Sequence, residues 1–312
     1  MLYFRLQATL LAIIFYSRLG VLLMSIIQRV PSVNYHLWQP CNMKCGFCFA
    51  AFDDVRRDVL PKGHLPRLDS IEIVRLLAGA GFKKINFAGG EPLLCPWLPE
   101  LITQAHDLGM VTSIVTNGTK LTPHWLDSVH GKLDWAALSV DSINEKTNRN
   151  IGRVYQGKVF SSAYFLRLVD LLRSGGVRLK INTVVCSENK DEVLSEFIES
   201  AMPERWKIFQ VLPVKGQNDD RAQEMLVSDD DFLRYLRNNE SVQRKGVVMV
   251  PETNDDMTDS YFMVDPAGRF FDNSSGGYRY SQSIASVGVL AAIDQVKMSA
   301  EKFIARAGLY AW

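Results

Sequence analysis

The chain alternates short apolar segments with amphipathic segments between residues 32 and 213, and this alternation restricts its fold more than any other feature. Strands that are separated by helices form parallel sheets, so the pattern predicts repeated βα units. The predicted strands cover 32–38, 83–89, 111–117, 135–141, 178–185 and 205–213. The predicted helices lie near 69–79, 97–108, 122–130, 161–174 and 190–201, with Asp69, Thr122 and Ser161 as capping residues.

Because crossovers between parallel strands are right-handed, six successive units curl toward a barrel. We therefore predict an α/β fold, a partial (βα)6 TIM-type barrel over residues 32–227, with catalytic groups on the loops after the strands. Residues 228–312 change character to a charged helix, an apolar run and a hairpin around Pro266 and Gly268. This segment is predicted to be a C-terminal capping extension that closes the barrel.

Charge and cysteine content exclude two classes of protein. Lys and Arg total 35 and Asp and Glu total 34, so the net charge of +1 offers no field for gathering a long nucleic acid. The five cysteines are odd in number and spread over 312 residues, which argues against a secreted disulfide framework. A reduced compartment, the cytoplasm, is the predicted location.

The apolar leader at residues 1–31 leaves several interpretations open. Arg5 and Arg18 interrupt it, whereas a membrane-spanning segment needs about 20 residues with few charges. It could be a signal or anchor, an amphipathic helix at a membrane surface, or sequence translated upstream of a true start at Met24. No small-residue cleavage site precedes Val30, which disfavours export, and membrane association through residues 1–27 stays open.

Three cysteines follow the first predicted strand within eight residues. Cys41, Cys45 and Cys48 are separated by three and then two residues, a spacing that lets one loop wrap a single inorganic centre. Thiolates hold both zinc and iron-sulfur clusters. A four-iron cluster on three cysteines would keep one iron without a protein ligand, whereas structural zinc needs a fourth ligand. The candidates for that ligand are Cys95, Cys186, His36 and His64.

The segment CNMKCGFC (41–48) resembles the CxxxCxxC signature of the radical S-adenosylmethionine superfamily. After the second predicted strand, AGGEP (88–92) resembles that superfamily's GGEP motif, which contacts the methionine part of the cofactor. The resemblance implies a 4Fe-4S cluster bound by Cys41, Cys45 and Cys48 and S-adenosylmethionine on the open iron. It also implies that Asn117 and Ser139, near the ends of the third and fourth strands, line the cofactor.

Basic residues share one face of several predicted barrel strands. By the two-residue period of a strand, Lys180 lies on the same face as Arg178 and Asn182, and Lys207 lies with Arg205. Lys84 and Asn86 repeat this pattern on the second strand. Cations inside a barrel are costly unless an anion compensates them, so a triphosphate is one explanation. Positions at strand starts that reach solvent, or pairing with carboxylates, are the alternatives; the chain has no GxxxxGK[ST] loop.

Several motifs together resemble the viperins, radical S-adenosylmethionine nucleotide dehydratases of antiviral defence. They are SVNYHLWQPCNMKCGFCF, KKINFAGGEP, NRNIGRVYQGK, LKINTVV, RWKIFQ and VPETNDDMTDSY, in that order. The residues implied to bind the nucleotide are Asn34, Lys84, Lys180, Arg205 and Lys207. The residues implied to contact the cofactor are Gly89, Gly90, Glu91, Asn117, Ser139, Arg153 and Asn182.

The resemblance implies that a nucleoside triphosphate, CTP, UTP or GTP, is converted to its 3'-deoxy-3',4'-didehydro analogue, which terminates viral RNA synthesis. An electron donor such as flavodoxin or ferredoxin is the implied partner. Two other interpretations stay open. One is a different radical S-adenosylmethionine enzyme that acts on a phosphorylated small molecule, and the other is a membrane-associated interaction protein with a structural cluster.

Overall fold

The computed structural model describes residues 26–312. The leader was predicted at residues 1–31, with a start at Met24 or a membrane contact through residues 1–27. Residues 1–25 lie outside the described residues, and residues 26–29 form a short helical stretch. No helix within residues 26–312 combines the length and the apolar character that crossing a membrane requires.

One ten-stranded sheet forms the centre of the molecule, with the strand order β10-β9-β8-β1-β2-β3-β4-β5-β6-β7. Strands β8 and β1 to β7 are parallel, and β9 and β10 are antiparallel additions at one edge. The strands are β1 Ser32–Trp38, β2 Lys84–Gly89, β3 Val111–Thr116, β4 Trp135–Ser139, β5 Arg178–Val185, β6 Arg205–Gln210, β7 Val248–Glu252, β8 Phe262–Val264, β9 Arg269–Asp272 and β10 Arg279–Ser283.

Helices connect the parallel strands, as the sequence predicts. They are α1 Asp53–Asp58, α2 Arg67–Gly79, α3 Leu98–Asp107, α4 Pro123–Asp127, α5 Glu145–Asn150, α6 Ser162–Ser174, α7 Ser195–Ala201, α8 Asp219–Ala222, α9 Asp229–Asn238, α10 Asn254–Met257, α11 Ile284–Val287, α12 Val289–Ile293 and α13 Ala300–Ala305. Thr122 and Ser161 accept backbone N–H bonds at the starts of α4 and α6. Asp69 was wrongly expected to cap a helix, because α2 begins at Arg67 after Pro66 and Asp69 lies in its first turn.

The predicted partial barrel is confirmed, and the segment after residue 228 adds parallel strands to it. Strand β7 pairs with β6 and strand β8 pairs with β1, so the six predicted strands are flanked by two more. The predicted hairpin is also present, since β8 and β9 are antiparallel on either side of Pro266 and Gly268. The boundaries proposed at residues 31 and 227 remain predictions.

The two faces of each central strand have different surroundings. On β5, Leu179 and Ile181 join the apolar core, whereas Lys180 and Asn182 line a cavity inside the curved sheet. This follows from the alternation of side chains along a strand. Buried apolar residues of the surrounding helices cover the outer face of the sheet, and those of α2 and α3 are Ile73, Val74, Leu77, Leu98, Leu101, Ile102 and Ala105.

The cysteine loop after β1 is held in place by backbone contacts. The Gly46 N–H donates to the Ile151 carbonyl at 3.0 Å, and the Asn218 side chain donates to the Phe47 carbonyl at 2.9 Å. Gly152, with a φ of 83°, lies so close that a Cβ there would be 2.1 Å from the Lys44 carbonyl oxygen. Glycine is required at this position, because any other residue would be strained by the positive φ and its Cβ would clash with the Lys44 carbonyl oxygen.

We therefore expect Gly152→Ala to destabilise the protein more than Gly157→Ala. Gly157 also has a positive φ, of 76°, but a Cβ there meets nothing within 4 Å. The control should lose about 1–2 kcal/mol through its left-handed backbone alone, and Gly152→Ala should lose roughly 2 kcal/mol more through the clash. Urea unfolding of both variants measures the difference, and equal losses would show that the contact with Lys44 does not constrain the loop.

Candidate active site

A cavity of about 300 Å³ runs through the inside of the curved sheet. Its lining includes residues from both ends of the parallel strands. The three cysteines, Glu91 and Asn117 contribute from beyond the carboxyl ends, whereas Lys84, Lys180 and Arg205 contribute from near the amino ends. The cavity therefore joins two chemically different regions, a thiol region and a cationic region.

The thiol region contains Cys41, Cys45 and Cys48, which all line the cavity and form no disulfide. Burial raises the pKa of Cys41 to about 11 and that of Cys45 to about 12, and it also raises the pKa of Cys48. A bound metal centre would deprotonate such thiols. Because the three side chains face the same cavity, the residues present fit an iron-sulfur cluster with three protein ligands.

The predicted fourth ligands for zinc do not join this group. Cys95 and Cys186 are buried and do not line the cavity, and Cys186 packs in an apolar cluster with Phe47. The His64 ring stacks on Trp38 with 3.9 Å between centroids, and the His36 ring, although it lines the cavity, packs among three phenylalanines. Within residues 26–312, no three His, Cys, Asp or Glu side chains are grouped as ligands of one metal ion. The arrangement does not favour the zinc alternative.

Glu91 connects the ends of β2 and β3. Its carboxylate accepts hydrogen bonds from the Thr116 hydroxyl at 2.7 Å, the Asn117 N–H at 2.8 Å and the Leu93 N–H at 3.0 Å. Burial raises the pKa of Glu91 despite these bonds. A carboxylate has about four acceptor positions, so one more donor, such as an ammonium group, can be accommodated.

The two glycines before Glu91 are required by the protein backbone itself. A Cβ at Gly89 would be 2.3 Å from the Trp38 carbonyl oxygen, and one at Gly90 would be 2.2 Å from the Gln39 carbonyl oxygen. The motif thus packs directly on the chain leading into the cysteine loop. Its close approach to a ligand stays a prediction.

The other predicted cofactor residues face the same cavity, and Arg153 lies beside the cysteine loop, over the Phe47 ring. Asn117, Ser139, Arg153 and Asn182 all line the cavity. Burial disfavours the charge of Arg153, but its hydrogen bond and ion pair with Asp141 outweigh this and raise the pKa of the guanidinium. The buried Oδ1 atom of Asn182 has no hydrogen-bond partner, although such atoms are normally paired. A ligand donor in the cavity would satisfy it.

The cationic region lies on the strands themselves, as the shared strand faces of the basic residues predict, and not on the loops after the strands. Lys84 and Arg205 are the first residues of β2 and β6, and Lys180 is the third residue of β5. All three are less than 10% exposed, so they do not reach solvent. Within the described chain none of the three pairs with a carboxylate. Their polar contacts go instead to the Tyr310 hydroxyl and to the Ala307 carbonyl.

Arg178 differs from its predicted neighbours, because it does not line the cavity and stacks on the Trp135 ring at 3.8 Å. Asn34 does line the cavity, and it accepts a hydrogen bond from Asn86 at 2.8 Å on the adjacent strand. The Trp135 ring is buried next to the lysines, with Lys180 Nζ 4.5 Å from its centroid.

Burial lowers the pKa of the cations. The pKa of Lys84 falls to about 7 and that of Lys207 to about 8, while that of Lys180 falls well below its ordinary value. Burial is the largest cause in each case, and neighbouring positive charges add to it for Lys84 and Lys180. Burial thus makes the charged form of these lysines less favourable than it is in water, and a bound anion would favour it again.

Among the cations predicted to bind the nucleotide, Lys207 alone pairs with a carboxylate in the described part of the chain, and the sequence analysis did not identify this partner. Its Nζ atom lies 2.6 Å from Glu252 Oε1 and donates to the Tyr261 hydroxyl at 2.8 Å. Tyr261 in turn hydrogen-bonds Glu252, and the Arg306 guanidinium lies 3.5 Å from the Tyr261 ring centroid and 3.4 Å from Glu252 Oε1. The buried carboxylate at the end of the apolar run GVVMVPE was the available signal.

The chain is similar in sequence to a known protein family and to several curated proteins. Residues 37–201 match the family model described as Radical SAM superfamily. A Flammeovirga pacifica protein named S-adenosylmethionine-dependent nucleotide dehydratase is 50% identical over 283 residues, which cover 91% of this chain and 96% of that protein. A Lacinutrix mariniflava protein with the same name is 49% identical over 287 residues, and here this chain spans 60% of the relative's length.

Among solved structures, the crystal structure of Streptococcus suis SuiB bound to S-adenosylmethionine is similar in fold, with a TM-score of 0.59 at 19% identity. The alignment covers 77% of this chain and 59% of that one. At this identity the likeness supports the partial barrel and nothing more about the site.

The lowered lysine pKa values predict that a polyanion binds with uptake of protons. In the free protein at pH 8 the Lys84 amine is mostly neutral, because its pKa is about 7. Bound phosphates favour the ammonium form, so binding of inorganic triphosphate should be accompanied by uptake of about one proton at Lys84 and of a further proton at Lys180, and the affinity should fall as the pH rises from about 7 to 9. Calorimetry at pH 8 in buffers of different ionisation enthalpy measures the uptake.

Lys84→Gln should reduce this uptake, whereas Lys83→Gln, at the exposed neighbouring position, should leave it unchanged. Binding without proton uptake would contradict the assignment of a lowered pKa to these lysines.

Proposed function

Because this chain belongs to the radical SAM superfamily and, within it, to the S-adenosylmethionine-dependent nucleotide dehydratases, we propose that it removes water from the ribose of a nucleoside triphosphate. CTP, UTP and GTP are the candidate substrates, and the 3'-deoxy-3',4'-didehydro nucleotide is the product. One observation carries the proposal: a single cavity is lined by three cysteines at one end and by unpaired lysines at the other.

At the thiol region, Cys41, Cys45 and Cys48 would hold a 4Fe-4S cluster, which with S-adenosylmethionine would supply one-electron chemistry for removing a hydrogen atom from the substrate. Glu91 accepts from the cofactor's ammonium group, because its carboxylate has acceptor capacity beyond its three present bonds. The unpartnered Oδ1 atom of Asn182 accepts from a cofactor hydroxyl.

At the cationic region, the phosphates supply the missing negative charge. The five cations lining this region are Lys84, Lys180, Arg205, Lys207 and Arg306, and Glu252 compensates one of them. A triphosphate carries roughly four negative charges at neutral pH, which matches the four that remain. A neutral or singly charged ligand would leave buried cations without a partner.

The position of the bound phosphates then determines how the ribose is oriented. Phosphates fixed near the starts of β2, β5 and β6 orient the ribose toward the thiol region, where the hydrogen atom is removed. Asn34, which lies between the two regions and is held by Asn86, is placed to contact the ribose hydroxyl groups. We further propose a cytoplasmic location, a flavodoxin or ferredoxin as electron donor, and a role for the product as an antiviral chain terminator.

The proposed reaction is tested with anaerobically purified protein that has been reconstituted with iron and sulfide. With S-adenosylmethionine and a reductant, 5'-deoxyadenosine should form only when a particular nucleoside triphosphate is added, and parallel reactions with CTP, UTP and GTP identify the base. Cys45→Ala should abolish the cluster's visible absorption, whereas Cys186→Ala, at a buried thiol outside the cavity, should retain it. Formation that is independent of every nucleotide would contradict the proposal.

Substitution of a phosphate-binding lysine should impair both affinity and turnover. Lys180→Ala should lower kcat/KM by about 10-fold to 100-fold, the range expected for one hydrogen bond to a charged group, and should lower kcat as well because the ribose is less well fixed. Lys83→Ala, at an exposed position, is the control. Unchanged kinetics in the Lys180 variant would count against a triphosphate in this part of the cavity.

A further inference from the structure

One buried carboxylate contacts three groups that line the cavity, although it does not line the cavity itself. This carboxylate belongs to Glu252, the last residue of β7, which is fully buried. Lys207, Tyr261 and Arg306 line the cavity, and each of them contacts the Glu252 carboxylate. Lys207 lies on β6, Tyr261 directly precedes β8 and Arg306 directly follows α13. A single carboxylate therefore joins three separate segments of the chain at the cavity.

The pairing of β6 with β7 places Glu252 next to Lys207. Lys207 lies opposite Val250 in the parallel register of these strands. Glu252 is two residues further along β7, so its side chain is on the same face of the sheet as those of Val250 and Lys207. The Lys207 Nζ atom lies 2.6 Å from Glu252 Oε1. The ion pair thus follows from the register of the two strands.

The hydrogen bonds of this group have a defined direction. Lys207 donates to the Tyr261 hydroxyl at 2.8 Å, and that hydroxyl donates to Glu252. Burial raises the pKa of Tyr261 well above its ordinary value, so the hydroxyl keeps the proton that it donates. Arg306 lies 3.4 Å from Glu252 Oε1 and also donates to the Ser260 carbonyl at 2.9 Å. The three groups are thereby fixed relative to one another.

Glu252 also supplies negative charge beside Lys207. Burial would raise the pKa of Glu252, but the charges of Lys207 and Arg306 outweigh burial and lower it, so the carboxylate is ionised. Burial lowers the pKa of Lys207 to about 8, and Glu252 opposes this effect. The Lys207 amine therefore keeps most of its charge at pH 7. Among residues 26–312, Lys84 and Lys180 have no carboxylate partner of this kind.

The other charged groups around Lys207 are cations. Arg205 lies two residues before it on β6, Arg306 approaches from the end of α13, and both lower its pKa. Lys180 lies on the adjacent strand β5, and the charge of Lys207 lowers the pKa of Lys180 in turn. The ammonium form of Lys207 therefore depends on Glu252.

We propose that Glu252 is a positioning residue: it holds Lys207 as an ammonium ion in the free enzyme and fixes it, with Tyr261 and Arg306, in the arrangement that receives the nucleotide. This inference rests on the proposed function, because it takes the cationic region to be the phosphate site. Glu252 acts through the three groups that it holds. Lys207 is then charged before the nucleotide arrives, whereas Lys84 and Lys180 take up protons as it binds.

The test removes the charge of Glu252 and keeps the size of its side chain. Calorimetry of inorganic triphosphate binding to the reconstituted enzyme with S-adenosylmethionine, at pH 7 in buffers of different ionisation enthalpy, gives the number of protons taken up. Glu252→Gln should take up more protons than wild type, by up to about one, because Lys207 without its carboxylate is charged only when the ligand is bound. Its affinity should then fall more steeply with pH than that of wild type, by up to about tenfold per pH unit.

Two further variants are the controls. Glu204→Gln removes a carboxylate that lies just before β6, is exposed and does not line the cavity, so it should take up as many protons as wild type. Glu252→Asp keeps the charge beside Lys207, so its proton uptake should also match wild type, even where the shorter side chain weakens binding.

Unchanged proton uptake in Glu252→Gln would overturn the inference, even if that variant were less stable or bound triphosphate more weakly. If Glu252→Gln does not fold, Lys207→Met decides the question with Glu252 in place. Loss of an amine that is already charged should change the uptake at pH 7 by less than about half a proton, whereas a decrease of about one proton would show a neutral Lys207 and overturn the inference. Absence of triphosphate binding in wild type and every variant would instead refute the phosphate site itself.

Discussion

The structure depends on the burial of several cations inside a curved parallel sheet. Lys84, Lys180 and Arg205 are each less than 10% exposed, and within residues 26–312 none of them has a carboxylate partner. Charges in such a place lose their hydration, and this loss exceeds what cation–π contacts alone return. The pKa values of Lys84 and Lys180 are lowered for the same reason, loss of hydration next to other positive charges. A bound polyanion would compensate these buried charges.

Strand geometry sets how the two regions of the cavity are related. Lys180 and Asn182 lie on the same face of β5, two residues apart, which corresponds to roughly 7 Å along the strand. Asn182 is the nearer of the two to the carboxyl end of β5, beyond which the thiol region lies, and Lys180 belongs to the cationic region. A rigid sheet can keep this separation fixed, which a reaction that removes one particular hydrogen atom requires.

The C-terminal extension completes the site as well as the fold. Strands β7 and β8 extend the parallel sheet at its two sides. Glu252 at the end of β7 and Tyr261 just before β8 meet Lys207 of β6 and Arg306, which directly follows α13. The extension thus contributes one carboxylate and one cation to the cavity, and its last residues enter the cationic region.

The amino-acid sequence alone was enough to predict the βα order, the cysteine loop and the basic strand faces near the strand starts, because strand periodicity and motif spacing are local properties that need no partner. It also indicated the glycines before Glu91, although their close neighbour is the backbone of the chain leading into the cysteine loop. The folded structure was needed to show that the cations are buried without a carboxylate among residues 26–312, that Glu252 pairs with Lys207 and that Tyr310 lies between Lys84 and Lys180. These contacts join residues 45 to 226 positions apart, and no periodic pattern encodes which distant segments the packed core brings together.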